Sequence, residues 1–333
     1  MTTAPARVRV LSPAKINLCL GVGPVRADGY HPLATVYQAL DLHDELEVVR
    51  TGTGPALEVR GNGVDVAGVP TGEDNLALRA VRLLAEHHGR ELPVALTLHK
   101  AVPVAGGLAG GSTDAAAALV GVDAVHGLGT PQSQLLALAG RLGSDVPFCL
   151  LGGTARGAGR GELVTPVPTS GRSWWVVVPD AAGLSTPAVY AAFDRLAGDR
   201  PVAEPVVPTE LLRALAAGDA ALLGASLRND LEPAALSFRP DLGAVLEAGR
   251  AGRAGGAGGE GVPGALGGLV SGSGPTTVFL GADQTHASRL ARHLGEVLDR
   301  GGATAPFVVS SPAPGARLVT GPVPVPATRG GRR

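Results

Sequence analysis

A glycine-rich turn leads directly into an alanine-rich helical segment in the stretch PVAGGLAGGSTDAAAAL, residues 103–119. Glycines let backbone N–H groups approach an anion closely, and a helix N-terminus adds unpaired N–H donors and a partial positive charge. The turn could therefore bind a phosphate group, with the Ser112 and Thr113 hydroxyls as helix caps or phosphate contacts. A tight turn with a purely structural role is the alternative, because glycine turns punctuate many folds.

Neither of the two common nucleotide-binding motifs fits this turn. The phosphate loop G-x-x-x-x-G-K-[ST] requires a lysine, and none lies between Gly106 and Thr113. The dinucleotide fingerprint G-x-G-x-x-G does not match the spacing of Gly106, Gly107, Gly110 and Gly111. A phosphate bound here would be held by backbone donors and the helix, and a cationic side chain would have to come from elsewhere.

Two charged residues in other segments could act on such a phosphate. Lys15 in SPAKINL follows a proline in an otherwise apolar segment, and Asp145 in LGSDVPF follows a helical pattern. Taken alone, Lys15 is typical of a surface lysine whose stem lies along apolar neighbours. Asp145 alone is equally typical of a turn residue.

The segments that carry these residues alternate between strand and helix patterns. Period-two alternation predicts two strands within residues 6–23, separated by a break at Pro13, and strands at 44–51 and 56–61. Strands are also predicted at 94–104 and 174–179. Helical spacing predicts a helix in NLALRAVRLLAEHHG, with Asp74 or Asn75 as its cap and Gly89 as its stop. Further helices are predicted from about Ser112 to His126 and from Thr130-Pro131 to Gly143, which gives a mixed α+β order.

Composition limits the class of protein. The 333 residues carry a formal net charge of −1, which argues against a dominant role in binding nucleic acid. The two cysteines, Cys19 and Cys149, cannot form a disulfide framework and are predicted to be small buried hydrophobes. The sequence contains no apolar run of membrane-spanning length and no signal-peptide pattern, so we expect a cytoplasmic protein without a membrane partner.

Three motifs in a fixed order resemble those of the GHMP small-molecule kinases: SPAKINLCL, PVAGGLAGGSTDAAAAL and SGSGPTTVF. The segments RADGYHPLATVYQALDLHD, EDNLALRA, LGSDVPF and NDLEP are similar to one branch of that family. That branch uses ATP to phosphorylate the 2-hydroxyl of a cytidine-diphosphate-linked methylerythritol, a step of non-mevalonate isoprenoid biosynthesis. The resemblance thus implies an ATP-dependent kinase with Mg²⁺ as cofactor, a small-molecule substrate and a monomer or homodimer.

The resemblance also implies a two-domain α+β GHMP kinase fold with the active site between the domains. The N-terminal domain would resemble domain 2 of ribosomal protein S5 and span residues 1–160, including the ATP loop. The C-terminal domain would be ferredoxin-like and span residues 161–312, with a flexible glycine-rich insertion at 249–268. A disordered, Pro-rich and basic tail is expected at 313–333.

Site residues follow from the resemblance by position. The catalytic pair corresponds to Lys15 and Asp145, and Asn75 falls on the adenosine side of the ATP site. The metal ligands stay unassigned. The substrate contacts correspond to Asn17, Tyr30, His31 and Tyr190. The ATP loop corresponds to Pro103, Val104, Ala105, Gly106, Gly107, Leu108, Ala109, Gly110, Gly111, Ser112 and Thr113.

Ala105 and Ala109 depart from the family pattern, because they occupy loop positions where the family often has glycine. Alanine tolerates such positions only at negative φ or with some strain. The sequence leaves two alternatives to a kinase of the cytidine-linked substrate. One is another GHMP kinase with a mevalonate- or homoserine-type acceptor. The other is a non-catalytic binding protein, for example one that contacts RNA through RGGRR at the C-terminus.

Overall fold

The computed structural model describes residues 4–104, 106–180, 182–253, 261–299 and 305–319. Its strands are β1 (Arg7–Val22), β2 (Leu33–Arg50), β3 (Ala56–Gly61), β4 (Val94–Lys100), β5 (Thr154–Ala158), β6 (Leu163–Pro166), β7 (Ser173–Val178), β8 (Arg228–Asn229), β9 (Gly252–Arg253), β10 (Val262–Pro263), β11 (Gly267–Val270), β12 (Thr277–Gly281), β13 (Phe307–Ser311) and β14 (Arg317–Val319). Its helices are α1 (Leu76–His88), α2 (Gly110–His126), α3 (Gln132–Leu142), α4 (Val146–Leu151), α5 (Thr186–Ala197), α6 (Thr209–Ala217), α7 (Ala220–Ala225), α8 (Glu232–Phe238), α9 (Asp241–Ala251) and α10 (Gln284–Val297).

The first unit is a sheet in which the long strands β1 and β2 pair antiparallel, from Arg7 opposite Val49 to Val22 opposite Leu33. The order along the sheet is β14-β1-β2-β4-β3, and β5 joins β2 further along. Helices α1 to α4 pack together against this sheet around a common core. The alanines at positions 115–118 let α2 approach closely, because they are buried and small.

The second unit is an antiparallel sheet of order β11-β12-β7-β13, with α9 and α10 packed on it. Apolar side chains join the two units, since Ile16 and Leu40 of the first share a core with Trp175 and Leu280 of the second. This two-unit mixture of helices and sheets confirms the α+β fold class. No helix within the described ranges is long and apolar enough to cross a membrane.

The unit limits differ from those expected from the sequence. β5 and β6 form one hairpin on the first sheet, so a boundary after residue 160 would cut through it. The expected tail at 313–333 begins with ordered chain, because Arg317–Val319 forms β14 and pairs with β1. Prolines and glycines suggested disorder there, but the short R-L-V segment fits the free edge of β1. Residues 320–333 lie outside the described ranges.

The expected insertion at 249–268 is also shorter than the sequence suggested. Residues 249–251 complete α9, and 252–253 pair with 262–263 as the two short strands β9 and β10. Residues 267–268 already belong to β11. Residues 254–260, the centre of the expected insertion, lie outside the described part of the chain.

Both cysteines are free, buried thiols, as predicted. Burial raises the pKa of Cys19 to about 11 and that of Cys149 to about 12. A thiol is a nucleophile or metal ligand only as the thiolate, so both residues act as small apolar side chains.

Candidate active site

An open cavity of about 820 Å³ lies between the two units. The first unit contributes β1, the glycine-rich loop, the start of α2 and the segment before α4. The second unit contributes α5 and the turn between β11 and β12. Most of the predicted site residues meet here, including Lys15, Asn17, Asp145, Tyr30 and Tyr190.

Lys15 and Asp145 form an ion pair at the floor of the cavity, with 3.3 Å between Nζ and Oδ2. The break predicted at Pro13 is wrong, because β1 continues through it with only an irregularity in the β1–β2 register between Pro13 and Lys15. The Lys15 side chain is only 5 % exposed, whereas Asp145 is 29 % exposed. The cation is therefore held inside the protein, and the carboxylate faces the cavity.

Asn17 holds the lysine in place. Lys15 Nζ donates a 2.8 Å hydrogen bond to Asn17 Oδ1, and Asn17 Nδ2 donates at 2.8 Å to Thr35 Oγ1. The Thr35 hydroxyl donates in turn to the Cys19 carbonyl at 2.6 Å. This chain fixes which end of the Asn17 amide faces Lys15, so the ammonium is directed towards Asp145.

Tyr37, which the sequence did not single out, lies beneath the pair. Its ring centroid is 5.8 Å from Lys15 Nζ, and its ring stacks on Phe148 at 4.9 Å. Burial, followed by interaction with the Asp145 carboxylate, raises the pKa of Tyr37 well above its ordinary value. A Cβ at Gly161 would lie 2.2 Å from the Tyr37 hydroxyl oxygen, so this oxygen requires a glycine beside it.

The glycine-rich loop packs directly on the turn that carries the third motif. A Cβ at Gly107 would lie 2.2 Å from the Ser271 carbonyl oxygen, and the φ of Gly107 is +77°. A Cβ at Gly106 would lie 2.7 Å from Thr276 Oγ1. The Ser271 hydroxyl donates to the Gly107 carbonyl at 3.1 Å. These two glycines are therefore required by the close approach of two segments more than 160 residues apart.

Helix α2 begins at Gly110 without a side-chain cap, and Gly110, Gly111 and Ser112 of its first turn line the cavity. The first N–H groups of a helix have no partner within the helix. Ala109 precedes it in the left-handed conformation, with φ +62° and ψ 32°. Alanine could occupy this position at negative φ or with backbone strain, and Ala109 has the strained conformation. The left-handed conformation costs a non-glycine residue about 1–2 kcal/mol. Ala105 lies outside the described residues.

The predicted loop residues divide into two groups. Gly106, Gly107, Ala109, Gly110, Gly111 and Ser112 line the cavity, whereas Pro103, Val104, Leu108 and Thr113 do not. Thr113 is buried, and its hydroxyl donates at 2.8 Å to the Pro13 carbonyl. The hydroxyl therefore ties α2 to the segment before Lys15 instead of facing a phosphate. Leu108 acts similarly, because its carbonyl accepts from the Lys15 backbone N–H at 3.2 Å.

A buried charged cluster, absent from the sequence prediction, supports the start of α2. Lys100 Nζ donates to Asp44, to both Asp114 oxygens at 2.9 and 3.0 Å, and to the Gly110 carbonyl at 3.2 Å. Asp44 also accepts from the backbone N–H groups of residues 101 and 102, at 2.7 and 2.9 Å. The two carboxylates raise the pKa of Lys100 to about 12 against the opposing effect of burial. Burial raises the pKa of Asp114 well above its ordinary value.

Tyr30, His31 and Tyr190 lie together at the other end of the cavity. The His31 ring is 5.1 Å from the Tyr190 ring and tilted by 31°. His31 Nδ1 lies 2.8 Å from the Gly23 carbonyl, so this nitrogen carries the proton. Tyr30 is 52 % exposed at the rim. An exposed aromatic ring and a fixed imidazole are suited to a flat heterocyclic base.

Asn75 has a different role from the one expected by position. Its Oδ1 accepts from the Ala77 N–H at 2.8 Å, and its Nδ2 donates to the Pro70 carbonyl at 2.7 Å. It is buried and caps α1, as helical spacing predicted. Its neighbour Leu76 lines the cavity, but Asn75 does not, because both ends of its amide are occupied within the protein.

Within the described part of the chain, no group of three or more His, Cys, Asp or Glu side chains could hold a metal ion. A cation in the cavity would therefore take most of its ligands from a bound nucleotide and water, which is the usual habit of Mg²⁺. The Ser112 hydroxyl and the Asp145 carboxylate line the cavity and are oxygen donors of the type that Mg²⁺ prefers.

Comparison with known proteins identifies the same regions. A family model described as the GHMP kinases N terminal domain matches residues 75–153, and one described as GHMP kinases C terminal matches residues 211–300. The first match contains the glycine-rich loop and Asp145. These matches confirm the GHMP kinase fold that the three motifs predicted.

The sequence is 51 % identical over 315 residues to a 4-diphosphocytidyl-2-C-methyl-D-erythritol kinase of Nocardioides sp. (strain JS614), covering 93 % of this chain and 99 % of the relative. A crystal structure of 4-(cytidine 5'-diphospho)-2C-methyl-D-erythritol kinase is similar at 32 % identity and TM-score 0.71, covering 94 % and 100 % of the two chains. A homoserine kinase from Cytophaga hutchinsonii has the same TM-score of 0.71 at 18 % identity, with 96 % and 99 % covered. The fold is thus common to kinases of different acceptors, and sequence identity separates them.

Proposed function

The chain belongs to the 4-diphosphocytidyl-2-C-methyl-D-erythritol kinase family of the GHMP kinases, and from this premise we propose how its cavity carries out the reaction. It is an ATP-dependent small-molecule kinase that phosphorylates the cytidine-linked methylerythritol in isoprenoid precursor synthesis. We assign the transfer to the 2-hydroxyl of that substrate, with release of ADP. The Lys15–Asp145 pair, 3.3 Å apart beside the loop at the start of α2, carries this assignment.

Asp145 is the proton acceptor in this proposal. A tertiary alcohol attacks phosphorus slowly until its proton leaves, so an acceptor must lie within hydrogen-bond distance of it. The Asp145 carboxylate faces the cavity and is the more exposed member of the pair. It takes the proton of the 2-hydroxyl as the oxygen attacks the γ-phosphorus of ATP.

Lys15 stabilises the negative charge that develops during transfer. Its ammonium is buried and donates to Asn17, so it is already oriented before the substrate arrives. A cation that is already oriented stabilises the developing alkoxide and the transferring phosphoryl group without reorganisation. Asn17 therefore acts as a positioning residue for Lys15, in addition to any contact with the substrate.

The loop and α2 hold the phosphates of ATP through the backbone. Gly106, Gly107 and Gly110 line the cavity, and the free N–H groups of α2 supply the partial positive charge that an anion requires. The lysine that a common phosphate loop carries within its own sequence is here Lys15 of β1. Mg²⁺ bound with the nucleotide would neutralise charge at the phosphates, and Ser112 is its candidate protein ligand.

Tyr30 and Tyr190 bind the cytosine of the substrate by stacking, and His31 hydrogen-bonds its edge. Stacking of a base on an aromatic side chain contributes about 1–3 kcal/mol in single-strand binding sites. The Gly23 carbonyl fixes the His31 tautomer with the proton on Nδ1, which leaves Nε2 as the acceptor for the edge of the base. Asp194 Oδ2 lies 3.5 Å from that nitrogen.

A coupled ADP-release assay with a panel of acceptors tests the function. The full chain with Mg-ATP is expected to release ADP with the cytidine-linked methylerythritol and to remain inactive with mevalonate and homoserine. Phosphorus NMR of the product is expected to show a new phosphomonoester on the 2-oxygen. Equal turnover of mevalonate or homoserine would assign the protein to another branch of the GHMP kinases.

A further inference from the structure

Arg160 occupies the cavity rim, although none of the three motifs includes it. It lies in the turn between β5 and β6, and its guanidinium carbon is 4.9 Å from the centroid of the Tyr30 ring. Both residues line the cavity. The guanidinium therefore lies over the ring to which the base-binding role was assigned.

The turn fixes the position of this arginine. Gly159 and Gly161 on either side have φ values of +69° and +105°. The Gly159 carbonyl accepts from the Leu33 N–H at 2.8 Å, which attaches the turn to the start of β2. A Cβ at Gly161 would lie 2.2 Å from the buried Tyr37 hydroxyl, so the turn packs directly on that side chain.

The N–H groups of Arg160 are available to a ligand. Its nearest carboxylate oxygen, Glu162 Oε1, is 3.9 Å from Nε, which is beyond hydrogen-bond distance. Glu162 Oε2 instead accepts from the Arg160 backbone N–H at 2.6 Å. Stacking uses the face of a guanidinium, whereas its five N–H groups point outward in its plane. Arg160 can thus remain on Tyr30 and still donate to an anion.

The cavity requires such a donor. Among the described residues that line it, Lys15 and Arg160 are the lysine and arginine side chains. Lys15 is engaged by Asp145 and Asn17. The substrate carries a diphosphate next to its cytidine, and a planar guanidinium matches phosphate oxygens in a bidentate geometry.

We propose that Arg160 is a substrate-binding residue that donates to the diphosphate of the cytidine-linked substrate while its guanidinium stacks on Tyr30. This inference rests on the proposed function. It assigns one side chain to both parts of the substrate, because the base and the diphosphate are adjacent. Arg160 would then distinguish cytidine diphosphates from uncharged cytidine.

Calorimetric titration of the full chain tests the assignment, with the ATP site saturated by a non-hydrolysable ATP analogue and Mg²⁺. The ligands are CDP and cytidine, and the variants are Arg160→Met and Arg160→Lys. Loss of a charge-assisted hydrogen bond predicts that Arg160→Met raises the Kd of CDP about 10- to 100-fold and that of cytidine less than about threefold. Arg160→Lys keeps the charge and is expected to lie between wild type and Arg160→Met for CDP.

Arg60→Met is the matched control, because Arg60 is an exposed arginine of β3 paired with Glu58. It is expected to change neither Kd. If Arg160→Met raised the Kd of CDP and that of cytidine by the same factor, the proposal would be overturned, since Arg160 would then only support Tyr30. Unchanged binding of both ligands would overturn it as well, with the proposed function intact. If wild type binds neither ligand but binds the ATP analogue, the proposed function itself fails.

Discussion

Replacement of Lys100 by methionine tests whether the buried cluster beneath α2 is a compensated charge network. The side chains of Lys100, Asp44 and Asp114 are between 1 % and 4 % exposed. Methionine keeps the apolar stem of the lysine and removes its charge. The substitution leaves two carboxylates inside the protein with no cation.

The magnitude follows from that burial. Removal of one partner of a buried ion pair costs about 3–5 kcal/mol, because the remaining charge is uncompensated. Asp44 keeps two backbone N–H donors, and Asp114, whose pKa is already raised by burial, can take up a proton. We therefore expect Lys100→Met to lower the free energy of unfolding by about 3 kcal/mol, the lower end of that range. At about 2 °C per kcal/mol for a chain of this size, Tm falls by about 6 °C.

Thermal melting followed by circular dichroism measures the effect, with two matched variants. Asp114→Asn keeps the Lys100–Asp44 pair and is expected to cost about 1 kcal/mol or less, because it removes the excess carboxylate. The double variant Lys100→Met/Asp114→Asn is expected to recover part of the Tm lost by Lys100→Met. A Tm of Lys100→Met within about 1 °C of wild type would refute the reasoning. So would a double variant whose loss in Tm exceeds the sum of the losses of the two single variants.

Three further results are expected from the geometry. Tyr30→Ala is expected to raise the KM for the cytidine substrate about 5- to 150-fold by loss of stacking, while Tyr30→Phe leaves it nearly unchanged. A larger effect on the KM for ATP would mean that the sites assigned to the two nucleotides must be exchanged. Gly107→Ala places a Cβ 2.2 Å from the Ser271 carbonyl, so the KM for ATP is expected to rise at least about tenfold. Gly129→Ala controls for backbone strain, because Gly129 also has a positive φ but a Cβ there would meet no atom within 4 Å. Equal changes of the KM for ATP in Gly107→Ala and Gly129→Ala would show that the contact with Ser271 is not the cause. Burial, then Arg317, lowers the pKa of His43 from 6.5 to about 4, so the unfolded chain binds a proton more readily. Wild type should therefore lose up to about 3 kcal/mol as the pH falls from 6.5 to 4, and urea titrations of His43→Gln should show a smaller loss.

The sequence predicted the parts of the site that short local patterns determine. The glycines at 106 and 107 were interpreted as places where an anion could approach the backbone, and the structure shows that the turn at 271–276 also approaches there. Helical spacing predicted Asp74 or Asn75 as the cap of α1, and the structure has Asn75 in that position. The helix cap is set by residues a few positions apart in the chain, where spacing is informative. The partner of the two glycines is more than 160 residues away, so only the structure identifies it.

Features that depend on distant pairing were not predictable in the same way. Lys100, Asp44 and Asp114 are far apart in sequence, and a lysine at the end of a strand is most often a surface residue. Thr113 could have faced a phosphate or the protein, and only the position of β1 decides between them. The β14 strand is three residues long and gains its stability from the free edge of β1.

Steady-state kinetics of the Asp145→Asn variant test most directly whether Asp145 is the proton acceptor. The account predicts that kcat with saturating Mg-ATP and cytidine-linked methylerythritol falls by about 10²- to 10⁴-fold, because the hydroxyl proton has no acceptor. Both KM values are expected to stay within about threefold of wild type, since binding rests on other groups. A variant that keeps more than about a tenth of the wild-type kcat would contradict Asp145 as the base.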